Sequence, residues 1–257
     1  MVALLIFVAL AAALFLLQEG LRVAGPWPAV GLYLVAPVLL TAYWLPVNDF
    51  GPFVWIKTYT VLFCACYGTA LRYTALVNRP DARFAVTVLL ALNILEAVAL
   101  DLIGGTPAHA LNAAAGLALV ATLPWRADAV RVVVCGRRRD AVYDGLSRRW
   151  IVGYSVWNAT FLHLNYPELA GRYTVVLAAA LLAGAIDPRR WLQARAYTLA
   201  ADLVVLASFY PIVLGAPGTA HRIDPAAAAG AALASLLVAV ACVWESRPTA
   251  DRRPAGA

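Results

Sequence analysis

Glu96, Asp202 and Lys57 lie inside stretches that are otherwise almost wholly hydrocarbon. A charged side chain near the middle of a membrane costs ~2.5–3.5 kcal/mol on insertion scales, so such residues face protein or water and are functional candidates by default. A carboxylate in a dry setting can carry a proton at neutral pH and hand it on, which makes Glu96 the leading acid or base. Asp202 suits the same role, or that of a counter-ion. Lys57 is the single lysine in the chain. It can pair with Glu96 or Asp202, snorkel to the headgroups, or hold a ligand. Around these three stand side chains that could bind or orient a ligand: Asn93, Asp101, Asn112, Trp157, Asn158 and His163. Asn93 and Glu96 share a helical face by their spacing, as do His109 and Asn112, and Asn158 with Asn165. Trp157 could wall a pocket, stack on a cation or pack in a core. The asparagines could equally tie helices together. His109 and His163 lack ligand-type spacing to a carboxylate, and the four cysteines form no framework. Neither a metal site nor a cofactor is expected.

The elements that must position these groups follow from composition. The chain is 63% hydrophobic and 13% charged over 257 residues, with a mean hydropathy of +0.77. Soluble domains carry about 25% charged residues, so the bilayer is the solvent that suits this chain. Nine apolar segments stand at 2–17, 28–45, 52–72, 84–104, 108–124, 150–165, 170–187, 194–214 and 225–244. They are separated by breakers such as Gly25-Pro26, Arg79-Pro80-Asp81 and Gly104-Gly105-Thr106-Pro107. The expectation is an all-α polytopic bundle of about nine spans, or eight if the short first run does not cross. One transmembrane domain fills 1–245, and a polar, proline-bearing tail over 246–257 reads as disordered in the cytoplasm.

The nineteen arginines orient the bundle. Seventeen fall in alternate connections, leaving only Arg172 and Arg222 for the other side. Basic connections stay in the cytoplasm, so the N-terminus is expected outside and the C-terminus inside. The net charge of +6 follows this topology, not one exposed basic face, so no nucleic-acid partner is expected. At about 1.5 Å per residue, the polar groups of the third to sixth segments fall in the middle and outer half. A polar cavity toward the outer face accounts for that most simply. Asp101 is rotated away from Glu96 toward loop water. Arg195 sits at the inner edge. The basic connection Trp125–Trp150 reads as an anchor on anionic headgroups or as a partner-binding loop. Trp27, Trp44, Trp55, Trp125, Trp150 and Trp191 stand at span ends, as an interfacial belt would.

Several strings carry a resemblance: Trp55-Ile56-Lys57-Thr58-Tyr59 with Arg72-Tyr73, Asn93-Ile94-Leu95-Glu96-Ala97-Val98 with Asp101, Asn112 with Ala115-Gly116, Trp157-Asn158, and Trp191-Leu192-Gln193 with Arg195-Ala196. Piecewise over about residues 50–200, the chain resembles an uncharacterised bacterial family of multi-pass membrane proteins, a domain of unknown function. The resemblance implies placement in a bacterial inner membrane and groups Lys57, Asn93, Glu96, Asn112 and Asn158 in one constellation. It implies no activity. Ser155 stands near where that family has an acidic residue.

Two function classes lead. One is a membrane-embedded enzyme or binding protein for an isoprenoid or lipid, resembling integral-membrane terpene cyclases in chemical layout only, with Glu96 as acid or base. The alternative is a proton-coupled transporter using Glu96, Asp202 and Lys57, although no repeat or paired helix breaks are present. A scaffold or accessory subunit is the third. The partners expected are membrane lipids and a small lipophilic ligand or transported solute.

Overall fold

Proline opens most of the helices. Pro52, Pro80 and Pro107 each stand at the first position of a helix, Pro28 at the second. There the missing N–H costs nothing and the fixed φ is already helical. The helix that begins at Arg148 lacks such a proline and is capped by a side chain: Ser147 accepts from the Trp150 N–H at 3.1 Å. The computed structural model describes residues 2–214 and 225–246, with side chains over 4–210 and 226–244. Arg222 and residues 247–257 of the tail expected to be disordered over 246–257 lie outside the described residues, while Ser246 ends a helix.

Among the described residues nine helices are formed: α1 (Val2–Val23), α2 (Trp27–Val47), α3 (Pro52–Tyr73), α4 (Pro80–Gly104), α5 (Pro107–Ala121), α6 (Arg148–Asn165), α7 (Ala170–Ile186), α8 (Trp191–Leu214) and α9 (Pro225–Ser246). Within α2 the turn Gly31–Val35 widens to π geometry just before Pro37. Pro37 has no N–H to give the Tyr33 carbonyl. That oxygen accepts from the Cys66 thiol at 3.3 Å instead, which ties α2 to α3.

Between α5 and α6 the chain forms a β-hairpin that the basic-loop reading missed. Its strands are β1 (Val130–Cys135) and β2 (Arg138–Tyr143), antiparallel, with Val130 opposite Tyr143 and Cys135 opposite Arg138. Gly136 has φ +59° at the first turn position, where glycine meets no steric penalty. The fold is therefore all-α except for this ladder. The hairpin packs under α3, α4 and α8 and touches α1.

Among the described residues five helices are long and apolar enough to cross a membrane, over Leu4–Val23, Trp27–Val47, Pro52–Tyr73, Pro80–Gly104 and Ala226–Trp244. This corrects the expectation of about nine spans. In these five windows only 17–39% of residues are buried in the protein, so hydrocarbon must cover the rest. Helices α5 and α7 are apolar but shorter. Helices α6 and α8 bury most of their length, including Asn158, Arg195 and Asp202. A helix wrapped by other helices can carry polar groups that a lipid-facing one cannot.

Two apolar cores result. One joins α4, α5, α6, α9 and the hairpin around the aromatic column Trp150, Tyr154, Trp157 and Phe161. The other joins α1, α2, α3, α7 and α8. The tryptophan belt needs correction too. Trp27 is 79% exposed, but Trp44, Trp150 and Trp191 are buried. Trp44 donates to Ser208 and Trp150 to Leu119 O and Thr122. An indole at a helix end serves as a core cap as readily as a headgroup anchor.

Candidate intramembrane binding site

Lys57, from the first turns of α3, reaches α4 and donates to Glu96 Oε2 and to the Asn93 carbonyl, each at 3.1 Å. Of the pairings open to it, Glu96 is the one formed. Asp202 belongs to Arg172, whose Nη2 lies 2.6 Å from its Oδ1. The contact is an ion pair with poor hydrogen-bond alignment, since both Asp202 oxygens lack a well-directed donor. Arg172, counted from sequence as a connection residue, is thus buried at the start of α7. Its guanidinium had to go where the Asp202 carboxylate of α8 could neutralise it.

Asn158 Oδ1 on α6 accepts from Arg195 Nη2 on α8 at 3.2 Å. Lys57, Asn93, Asn158 and Arg195 together line a cavity of about 50 Å³, walled by Phe53, Phe161, Tyr166 and Tyr173. Glu96 stands behind Lys57, outside this lining. A larger cavity of about 100 Å³ meets it at Asn93, Arg195 and Leu199. It runs toward the arginine-rich end between α3 (Val61, Cys64, Gly68), α4 (Val86, Leu90) and α8, and β2 forms its floor. Its walls are almost entirely apolar. Tyr143 of β2 reaches into the lining, and burial pushes its phenol up to about 12, so it stays a neutral hydroxyl bonded to Thr87.

The remaining residues singled out from sequence gather elsewhere. Asp101 is fully buried and does not meet loop water. Its two oxygens accept from Asn112 Nδ2 and Asn165 Nδ2, each at 2.7 Å. Five residues of helix rotate it by about 140° from Glu96, which turns it toward α5 and α6. Asn112 stands in this cluster, apart from the Lys57 group, and its carbonyl accepts from Trp157 Nε1 at 2.9 Å. Trp157 is fully buried and lines neither cavity. His163 bonds back to the Ala159 carbonyl at 2.8 Å. Ser155 does likewise to Ile151. Among the described residues no three His, Cys, Asp or Glu side chains converge as a metal site would require.

Sequence reasoning undervalued Arg195. It was left at the inner edge, yet its guanidinium lies where the two cavities join. The signal was its seven-residue spacing from Asp202, which puts both on one face of α8.

The arginine-rich end carries a second polar assembly. Arg22 of α1 forks onto Asp140 of β2, Nε to Oδ1 and Nη2 to Oδ2, each at 2.7 Å. Glu19 bridges Arg22 and Arg190. Gln193 Oε1 accepts from the Ala141 N–H at 2.7 Å. Burial pushes the Asp140 carboxyl up, but the hydrogen bond and charge of Arg22, helped by Arg190 and Gln193, outweigh it and hold the group below the ordinary carboxylate value. Arg72 is buried beside this group. It donates to Tyr197 Oη at 2.7 Å and to the carbonyls of Leu21, Arg22 and Arg139.

No curated protein and no solved structure matches this chain. One family does, and its match over residues 1–252 extends well beyond the 50–200 stretch that carried the resemblance. The chain belongs to the Family of unknown function (DUF5692).

Proposed function

We propose that this protein binds a lipophilic ligand taken from the bilayer between α3 and α4. The observation that carries the reading is a pair of neighbouring cavities that share Asn93, Arg195 and Leu199 in their linings. One is an apolar cleft of about 100 Å³, and the other is a smaller, largely apolar chamber that Lys57 and Asn158 also line. Small-molecule sites have this make-up, apolar walls with a few converging polar groups. The helices that border the cleft on the lipid side, α3 and α4, touch each other sparingly. Glu96 lines neither cavity and is held by Lys57, so the geometry supports binding more than proton transfer by Glu96. The arginine-rich end, with the hairpin, is read as cytoplasmic on the distribution of basic residues. The polar chamber then lies deeper, on the side of the hairpin away from the cytosol.

Gly68 gives the test. It lines the apolar cleft, and a Cβ added there meets nothing within 4 Å. Gly68→Leu therefore adds bulk at the cleft lining from a Cβ that meets no neighbour, in a helix where leucine is the better residue. Photoreactive C16 and farnesyl probes in proteoliposomes should label the unaltered chain on α3 or α4. In the variant, labelling should fall about tenfold, an effect of ~1.4 kcal/mol, while the thermal midpoint holds or rises. Equal labelling of both proteins would overturn the reading. Solute flux in the same vesicles, lost in Glu96→Gln, would favour transport instead.

A further inference from the structure

We infer that the ligand of this cleft carries a single anionic headgroup on one long apolar chain, a carboxylate or a phosphate monoester, and that this headgroup seats on Arg195 beside Lys57. The inference rests on the reading of the cleft as a lipophilic-ligand site and adds the chemistry of the polar end.

Arg195 is 6% exposed. Its Nη2 is used by Asn158, but Nε and Nη1 are buried without an acceptor among the described residues. Those two nitrogens carry three N–H groups. A guanidinium does not deprotonate inside a protein, so it cannot shed the charge as a lysine or a carboxylic acid could. The carboxylates within reach are engaged, Asp202 by Arg172 at 2.6 Å and Glu96 by Lys57 at 3.1 Å. Three cations (Lys57, Arg172, Arg195) thus face two carboxylates (Glu96, Asp202), leaving one positive charge at the join of the cavities. A carboxylate neutralises it, and a phosphate monoester, with about −1.5 to −2 at pH 7, does so with charge to spare. The chamber around it is small, about 50 Å³, and walled by Phe53, Phe161 and Tyr166, which favours a bare headgroup over one bearing a sugar or amino alcohol. The apolar cleft that opens from Arg195 toward the hairpin takes the chain.

The probes are tritiated palmitate and farnesyl monophosphate, each compared with its alcohol, hexadecanol or farnesol, on the purified full chain in nanodiscs. At least one charged probe should bind about tenfold or more tightly than its alcohol, the scale of a charge-assisted hydrogen bond in a dry site. Which one does so tells a fatty carboxylate from a prenyl phosphate. Arg195→Gln should erase that difference, and Arg195→Lys should restore part of it. Should Arg195→Gln fail to fold, acid against alcohol on the unaltered protein decides alone. Equal binding of acid and alcohol would overturn the anionic headgroup while sparing the lipophilic cleft. Binding of none of the four would overturn both. Chloride or inorganic phosphate displacing the charged probe at its own affinity would show a free-anion site and overturn the chain-bearing ligand.

Discussion

Arginine is put to two uses at two depths in this molecule. At the hairpin end the guanidiniums are surrounded by acceptors. Arg22 forks onto Asp140, Glu19 spans Arg22 and Arg190, and Arg72 gathers three carbonyls and a phenol. Between the two cavities Arg195 keeps one hydrogen bond, to Asn158, and two of its nitrogens are buried without a partner among the described residues. The first arrangement clamps elements from distant parts of the sequence. The second holds a charge in reserve at the end of a cavity. Removing a clamp should therefore unfold the protein, and removing the reserve should change what it binds.

The largest effect is expected at the clamp. Asp140→Ala takes the forked partner from buried Arg22, leaving Glu19 as its carboxylate, and should cost about 2–3 kcal/mol, read as a fall in the unfolding midpoint in detergent. The same carboxyl gives a pH dependence. Its folded-state value is depressed, so its stabilising contribution is complete above the unfolded value of about 4 and is lost as pH falls through the folded value. The midpoint of the unaltered chain should hold down to about pH 5 and drop as pH falls below about 4, and Asp140→Ala should flatten that curve.

Next comes packing between the two sites. A Cβ at Gly116 would lie 2.5 Å from Val98 Cγ2 and 2.9 Å from Trp157 Nε1. Gly116→Val should then cost about 1–3 kcal/mol by overpacking. Lys57→Met strands Glu96 at a half-buried position and should cost about 1–2 kcal/mol, with Lys57→Met/Glu96→Gln recovering part of it in a double-mutant cycle. The smallest effect on stability is expected at Arg195. Arg195→Met should move the midpoint by less than about 1 kcal/mol in either direction, because an uncompensated charge leaves with it. A loss of several kcal/mol there would erase the distinction between clamp and reserve.

Much of the bundle was legible from periodicity and breakers. Each of the nine apolar segments marked from sequence corresponds to a helix, because prolines and glycines punctuate the chain where helices must start and stop. The hairpin was not. Its alternation, Val130, Val132, Val134 before Gly136, was masked by arginines that had already been explained by membrane orientation. The number of qualifying spans was overestimated for a related reason. Apolar content cannot tell a helix facing lipid from one facing other helices, and α6 to α8 are of the second kind. At the site, three-residue spacing correctly placed Asn93 and Glu96 on one side of α4, where both meet Lys57. Nothing local tied Asn158 to Arg195 or Arg172 to Asp202, since these pairs are 37 and 30 residues apart and meet only in the folded bundle.

The contacts of α1 have a consequence for how the protein is made. Arg22 is joined to Asp140 across 118 residues, and Glu19 to Arg190 across 171. The first helix is synthesised early, but its anchors Asp140 and Arg190 leave the ribosome only 118 and 171 residues after the groups they bind. It must wait, loosely held, until the α7–α8 turn has emerged. Nascent chains truncated before residue 190 should leave it open to proteolysis, and longer ones should protect it.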